Sequence, residues 1–170
     1  DTPGNLAIGS GGYPQDAYYT GYYIGLELRA LGINMNFAPT IDVYSTIEST
    51  VIGPRSFGEN PKYTGILGAA WAKGHADAGI IATAKHFPGH GDTDVDSHGA
   101  LPIIDIDEET LFSRELIPFM SLIEAKVPQK LLAYEVYLRK AFGDSFAKTT
   151  ADDDYDGSAK RKVEKLTKDK

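Results

Sequence analysis

The segment that decides the fold is residues 80–98, which read IIATAKHFPGHGDTDVDSH. Its first five residues, 80–84, are largely apolar, which is typical of a strand that is buried on both faces of a parallel sheet. The remaining residues, 85–98, hold three of the chain's four histidines, one lysine and several aspartates. Because functional groups in parallel α/β folds gather just past the C-terminal ends of strands, we expect a functional loop here. Gly89 and Gly91 predict that its backbone turns tightly.

Helical and strand patterns alternate on both sides of this segment. Residues 14–31 predict an amphipathic helix that Gly32 ends, and the residues expected on its apolar face are Tyr23, Ile24, Leu28 and Leu31. A strand is expected over 33–39, where Ile33, Met35 and Phe37 alternate with other residues.

The next helix is predicted to start at Asn60-Pro61, with Asn60 as the cap and Pro61 in the first position. It should run to Gly79. A third helix is expected from Asp107, with a restart or kink at Pro118, and a strand over 131–136. This alternation predicts a parallel α/β sheet, and by itself it leaves a barrel and a doubly wound sheet open.

Composition excludes several classes of function. The formal net charge of -7 argues against nucleic acid and anionic membranes as partners. There is no cysteine, which excludes disulfides, thiol chemistry and Cys-ligated metals. No run of about 18 apolar residues is present, so no membrane-spanning segment is expected. The cytoplasm is compatible with this composition, but the first residues lack both a start methionine and a signal-peptide pattern, so we expect the chain to begin within a longer protein.

The last thirty residues differ in composition from the rest. Residues 141–170 contain seven Lys/Arg and seven Asp/Glu, against 24% charged residues in the whole chain. We therefore expect a structured domain over 1–140 and a charged, poorly ordered tail over 141–170, with a short helix over 158–168 as the alternative.

Three chemistries fit the polar segment. His86 and His90 have the spacing of a helical zinc pair, but Pro88, Gly89 and Gly91 oppose a helix, so a metal site is disfavoured. Asp96 and His98 fall on one face of an extended stretch, where a carboxylate would orient an imidazole for proton transfer.

The third chemistry is recognition of an anion or a sugar by Lys85 and His86, because a lysine at a strand end needs a polar partner. The structural alternatives are a loop hydrogen bond between Asp96 and His98, and a salt bridge from Lys85 to an aspartate such as Asp42.

The motif as a whole resembles a known family. Residues 85–91, KHFPGHG, followed by Asp96-Ser97-His98, are similar to the signature of family 3 glycoside hydrolases of the β-N-acetylglucosaminidase type. The segments LGINMNFAP over 31–39 and IGPRSFG over 52–58 agree with it. The resemblance covers about residues 2–128.

The resemblance implies a (β/α)8 barrel, of which this chain would be a part, and a retaining mechanism without a cofactor. It implies that His98 is the general acid/base with Asp96 as its partner, and that Arg55, Lys85 and His86 bind the hydroxyls of N-acetylglucosamine. Without the resemblance, Arg55 would be assigned to a surface ion pair.

The chain also departs from the family pattern. A complete barrel typically needs about 250 residues, and the motif with the nucleophilic aspartate is not found in this sequence. Three rivals therefore stay open: a sugar-binding remnant without turnover, a metal-dependent hydrolase that uses His86, His90 and the aspartates of the segment, and a β-glucosidase or phosphorylase variant of the same family.

Overall fold

The computed structural model describes residues 2–46, 51–92, 103–104, 106–126, 129–133 and 137–138. The predicted dyad Asp96 and His98 and the predicted tail over 141–170 lie outside these residues. The order of elements is α1 (Asn5–Gly11), α2 (Pro14–Ala30), β1 (Met35–Asn36), a 3-10 turn (Gly53–Arg55), α3 (Pro61–Asp77), β2 (Ile81–Phe87), β3 (Ile103–Ile104), α4 (Glu108–Thr110), a π-helical stretch (Leu111–Glu115), α5 (Leu116–Glu124), β4 (Gln129–Ala133) and β5 (Tyr137–Leu138).

The strands confirm the parallel α/β prediction. β1 and β4 flank β2, and both pair with it in parallel, while β3 and β5 form a second parallel pair. β1 is shorter than the predicted strand over 33–39. The chain after β1 nevertheless stays beside β2, as the parallel bridge between Thr40 and Lys85 shows. β2 is longer than predicted and includes Lys85, His86 and Phe87, so these residues belong to the strand end and not to a loop.

Helix α2 has the predicted position but a different buried face. Tyr23 and Leu31 are exposed, and the residues that are buried are Ala17, Thr20, Gly21 and Gly25. The prediction was wrong for Tyr23 and Leu31, while Ile24 and Leu28 are partly buried. Close helix packing selects small residues at the centre of the contact. A Cβ at Gly21 would lie 2.1 Å from the carbonyl oxygen of Trp71 in α3, so the two backbones touch here. The end of the helix is as predicted, with Gly32 at a φ of 81°.

Local capping signals fix the other helices. The Asn60 side chain accepts a hydrogen bond from the Tyr63 amide at 3.0 Å, and Asp107 accepts one from the Thr110 amide at 2.8 Å. Both helix starts were predicted. The irregularity expected at Pro118 lies one turn earlier, in the π-helical stretch Leu111–Glu115, because a proline inside a helix cannot donate to the carbonyl four residues before it.

The core lies between the sheet and helices α3 and α5. Its fully buried members include Ile41, Leu67, Ala82, Ala84, Leu116, Phe119 and Leu122. Hydrogen bonds of the buried His75 link α3 to α2 and to β1. Its Nδ1 lies 2.5 Å from the carbonyl oxygen of Gly21, and its Nε2 lies 3.0 Å from the side-chain nitrogen of Asn36. The single tryptophan, Trp71, stacks on His75 with 3.9 Å between ring centroids.

Within the described ranges, no helix has the length and apolar character that crossing a bilayer requires. The peptide bonds Ala38–Pro39, Lys85–His86 and Phe87–Pro88 are cis.

Candidate active site

A buried carboxylate, Asp42, organises the C-terminal end of the sheet. The backbone amide of Ile41 donates to the carbonyl oxygen of Lys85, and this bond brings Asp42 beside the end of β2. The Asp42 carboxylate accepts hydrogen bonds from the backbone amides of His86, at 3.0 and 3.1 Å, and of His90, at 2.8 Å. These donors replace water around a side chain that has no exposed surface, which keeps its burial from being prohibitively costly.

The same carboxylate orients His86. Asp42 Oδ2 lies 2.6 Å from Nδ1 of His86. Because an ionised carboxylate only accepts hydrogen bonds, we assign the proton to Nδ1. The sequence predicted an aspartate–histidine pair at Asp96 and His98, and the described residues contain another, Asp42 with His86. The signal was present in the sequence, since Asp42 follows the strand at 33–39 just as His86 lies at the end of the strand that pairs with it.

Lys85 is half-buried beside this pair. Burial lowers the pKa of its ammonium group, the positive charge of Arg55 lowers it further, and Asp42 opposes both effects. Lys85 is therefore within electrostatic reach of both Arg55 and Asp42. The salt bridge considered between Lys85 and Asp42 is not formed, because the Asp42 carboxylate is directed at His86 and His90.

Arg55 belongs to a short turn that is tied to the same aspartate. The hydroxyl of the next residue, Ser56, is buried and donates to the main-chain carbonyl of Asp42 at 2.6 Å. The Arg55 side chain is exposed and donates to the carbonyl oxygen of Val51 at 3.1 Å. The structure thus places Lys85 and His86 at the end of β2 beside the buried Asp42, with the Arg55 turn tied to the main chain of the same aspartate.

The two loop glycines let the chain turn back over Asp42. Gly89 has a φ of 142°, and a Cβ there would lie 2.4 Å from Oε2 of Glu115. A Cβ at Gly91 would lie 1.6 Å from the carbonyl oxygen of Val43. The tight turn was predicted, and its purpose is close contact between backbones, which places the amide of His90 on Asp42.

Glutamate 115 is a buried acid that the sequence predictions missed. It is 1% exposed. Burial raises its pKa to about 7; the positive charge of Arg114 opposes the rise, and the charges of Asp42 and Asp92 add to it. A signal existed, because Glu115 shares the helical spacing of Leu111, Pro118 and Leu122, which are buried. An acid on an apolar stripe indicates a special environment.

A metal site is not supported by the part of the chain that the structure describes. His86 lies in β2 and His90 follows the turn after it, so the two residues do not share a helix face. Among the described residues, no group of three histidine, aspartate or glutamate side chains could hold a metal ion.

Comparison with known proteins gives three informative matches. Residues 1–138 match the glycosyl hydrolase family 3 N-terminal domain. The chain is 45% identical to "Beta-hexosaminidase A" of Pseudoalteromonas piscicida over 137 residues, which are 78% of this chain and 23% of the relative. It is also 45% identical, with a TM-score of 0.78, to the solved structure of a glycoside hydrolase family 3 β-N-acetylglucosaminidase from Paenibacillus sp., covering 81% of this chain and 26% of that one.

A further similar structure is that of a complex with a sugar derivative. NagZ from Neisseria gonorrhoeae in complex with N-trifluoroacetyl-D-glucosamine matches 82% of this chain and 42% of its own length, with 30% identity and a TM-score of 0.73. The chain spans about a quarter of the Pseudoalteromonas and Paenibacillus relatives. These likenesses support the prediction of a partial (β/α)8 barrel over the doubly wound alternative.

Proposed function

Because the chain belongs to the family of the glycosyl hydrolase family 3 N-terminal domain, we propose that its site acts on terminal β-N-acetylglucosamine residues. The observation that carries the proposal is the position of Lys85 and His86 at the end of β2, where Asp42 orients His86 and the positive charge of Arg55 acts on Lys85. Strand ends are where α/β barrels place their chemistry. The names of the relatives, β-hexosaminidase and β-N-acetylglucosaminidase, indicate the sugar.

In the proposal, the described residues bind the sugar. The ammonium group of Lys85 and the guanidinium group of Arg55 donate hydrogen bonds to ring hydroxyls, and both are donors without an acceptor lone pair. His86 is held in one orientation by Asp42 and contacts the ring from the same side. Asp42 itself acts indirectly, because its oxygens are engaged by protein donors.

The proposed chemistry uses Asp96 and His98. His98 gives a proton to the glycosidic oxygen as the bond to the anomeric carbon breaks, and a carboxylate forms a bond to that carbon. His98 then takes a proton from water as water displaces the carboxylate, which restores both groups. Asp96 stabilises the charged imidazolium form of His98. The attacking carboxylate has no matching motif in this sequence.

Sugar binding by the purified chain tests the first half of the proposal. Saturation-transfer NMR with N-acetylglucosamine, with glucose as the competitor, should show contact with the protein and a preference for the acetylated sugar. Lys85→Met and Arg55→Gln should each weaken binding by about tenfold, the effect of losing a hydrogen bond of about 1.4 kcal/mol. Lys62→Met, at an exposed position of α3, is the control. Binding that is equal in all four proteins would overturn the proposed site.

An assay with a chromogenic aryl N-acetyl-β-glucosaminide tests the second half. We expect negligible turnover by the chain alone, because covalent catalysis needs the attacking carboxylate. Robust turnover that His98→Ala abolishes would instead place the nucleophile within this chain, at Asp94 or Asp105. Turnover that is equal in both proteins would identify a contaminating enzyme.

A further inference from the structure

The buried acid Glu115 packs against the turn that follows β2. At Gly89 in this turn, an added Cβ would lie 2.4 Å from Oε2, 2.8 Å from Cβ and 3.1 Å from Cδ of Glu115. Phe119 stands four residues after Glu115, and its ring meets that of Phe87 edge to face, with 5.4 Å between the centroids. Because residues four apart share one face of a helix, this helix face backs both the last residue of β2 and the turn after it.

The same turn also fixes His86, one of the residues proposed to bind sugar. The amide of Gly89 donates to the carbonyl oxygen of His86 at 2.7 Å, and the amide of His90 donates to the Asp42 carboxylate at 2.8 Å. The rings of His86 and His90 meet edge to face, with 5.4 Å between the centroids. The other oxygen of Asp42 orients the His86 ring through Nδ1. A shift of Gly89 would therefore move the His90 amide off Asp42 and loosen what holds the His86 ring.

Protein donors satisfy only one oxygen of the Glu115 carboxyl group. Oε1 accepts a hydrogen bond from Nε of Arg114 at 2.6 Å, and the same guanidinium group donates to Asp92 at 2.7 Å. Oε2, the atom nearest the Cβ position of Gly89, is buried and has no hydrogen-bond partner among the described residues. A negative charge on such an oxygen is costly. Burial accordingly raises the pKa of Glu115 to about 7 against the charge of Arg114, with a contribution from Asp42 and Asp92, so the neutral acid is the form that packs on the turn below this pH.

We infer that Glu115 is a positioning residue for His86 and that it acts by holding the turn at Gly89 in place. The inference rests on the proposed function, in which His86 contacts the sugar. Glu115 is only 1% exposed, so it does not touch the sugar itself. When its carboxyl group loses the proton, a bare charge faces backbone without a donor, so the contact with Gly89 loosens and His86 is held less firmly. The charged or titratable side chains on the segments packed around Glu115 are Arg114 on its own helix, Lys85 in β2, Asp42, Asp92 and the imidazoles of His86 and His90.

Hydrogen exchange of single backbone amides in the full 170-residue chain tests the inference without any sugar. At about pH 6, Glu115→Ala should lower the protection factor of the His90 amide by about tenfold or more, the effect of losing one hydrogen bond. The Thr83 amide, which donates to the Ala38 carbonyl at 2.8 Å within the sheet, should lose much less protection. Glu124→Ala, at an exposed position of the same helix, is the matched control and should change neither amide.

A conservative variant separates positioning from a simple loss of packing. Glu115→Gln keeps the shape of the neutral acid and an acceptor for Arg114, so at about pH 6 its His90 amide should be as protected as in the wild type. Between about pH 6 and pH 8, protection of the wild-type His90 amide should fall relative to the Thr83 amide as Glu115 ionises, whereas in Glu115→Gln it should stay level. This comparison decides the question even if Glu115→Ala fails to fold.

Sugar binding then connects the turn to the site. In saturation-transfer NMR, the affinity of the wild-type chain for N-acetylglucosamine should fall severalfold relative to that of Glu115→Gln between about pH 6 and pH 8. Other groups titrate in both proteins, so only the difference between the two pH profiles counts. Glu115→Ala should bind the sugar more weakly than Glu124→Ala at every pH.

Three results would overturn the inference. The first is the same pH dependence of His90 protection in the wild type and Glu115→Gln, and the second is an equal loss at His90 and Thr83 in Glu115→Ala. The third is a selective loss at His90 that leaves the affinity for the sugar unchanged, because the turn would then be held without positioning His86. A wild-type chain that fails to bind N-acetylglucosamine would count against the proposed function, while the exchange data would still decide whether Glu115 holds the turn.

Discussion

The Oδ2 atom of Asp42 lies 2.6 Å from Nδ1 of His86, and the two side chains are 0% and 5% exposed. The contact joins two neighbouring parallel segments of the sheet. Asp42 lies in the segment that continues from β1, and His86 lies in β2. His86, one of the residues proposed to bind sugar, is therefore held by a buried carboxylate from the neighbouring strand.

We expect Asp42→Asn to be strongly destabilising although it hardly changes the shape of the side chain. The amide removes the negative charge and turns an NH2 group toward amide donors, so buried hydrogen bonds are lost. The free energy of unfolding should fall by on the order of 3 kcal/mol, as measured by urea denaturation. Asp16→Asn, at an exposed position in the first turn of α2, should change it by less than about 1 kcal/mol. Equal losses in the two variants would contradict the buried-charge account.

Glu115→Gln should stabilise the protein at and above neutral pH. The pKa of Glu115 is raised to about 7 in the folded state, so the folded state holds its proton while the unfolded chain releases it. Stability from this group is therefore complete below about 4.5 and is lost as the pH rises through about 7. Glutamine mimics the protonated acid and keeps an acceptor for Arg114, so the gain should grow with pH toward about 3 kcal/mol. Urea denaturation at several pH values measures this gain in stability. Glu124→Gln, at an exposed position of α5, is the control. A gain that does not depend on pH would refute the raised pKa of Glu115.

His75 should make the protein less stable in acid. Burial lowers its pKa, and the hydrogen bond to the Gly21 carbonyl opposes this only in part. The unfolded chain therefore binds a proton near pH 6.5 when the folded protein does not, and stability declines as the pH falls below about 6.5. His75→Gln removes this titration, so the stability difference between wild type and variant should shrink between about pH 7 and pH 5. A constant difference would show that His75 is not the titrating group.

Two glycine-to-alanine changes should have opposite effects. At Gly21 the new Cβ would lie 2.1 Å from a backbone oxygen of α3, so the helices must separate, at a cost of on the order of 2 kcal/mol. At Gly11, in α1, nothing lies within 4 Å of the new Cβ. Here the better helix propensity of alanine should add up to about 1 kcal/mol. Thermal unfolding of both variants measures the contrast, and a loss in both would mean that helix propensity alone does not explain Gly11.

Local signals in the sequence predicted where the helices begin and end better than which residues they bury. Asn60, Asp107 and Gly32 each act through hydrogen bonds or a φ value within a few residues, so their roles can be recognised without the structure. The buried face of α2 could not be recognised in this way. Tyr23 and Leu31 have the apolar periodicity, but the contact with α3 requires small residues, which hydrophobicity does not rank highly.

The site shows the same division. Lys85, His86 and Arg55 were identified from their motifs, and the structure places Lys85 and His86 at the end of β2 beside Asp42. The partner of His86 is 44 positions away in sequence, so pairing it with Asp42 requires the register of β2 against the line of β1. Asp92 and Arg114 stand 22 positions apart, and no spacing rule joins them. The roles of Asp96 and His98 stay predictions.

The stacking of Trp71 on His75 gives the molecule an optical probe of its own helix interface. The indole is the only one in the chain, and a protonated imidazole in ring contact quenches indole fluorescence by accepting an electron from the excited state. Near neutral pH, the His75 ring beside Trp71 is uncharged, so the indole emits without this quenching. In acid, loosening of the contact between α2 and α3 lets His75 take up a proton, and the emission of Trp71 falls. Fluorescence intensity against pH follows the loosening of this one interface without any label.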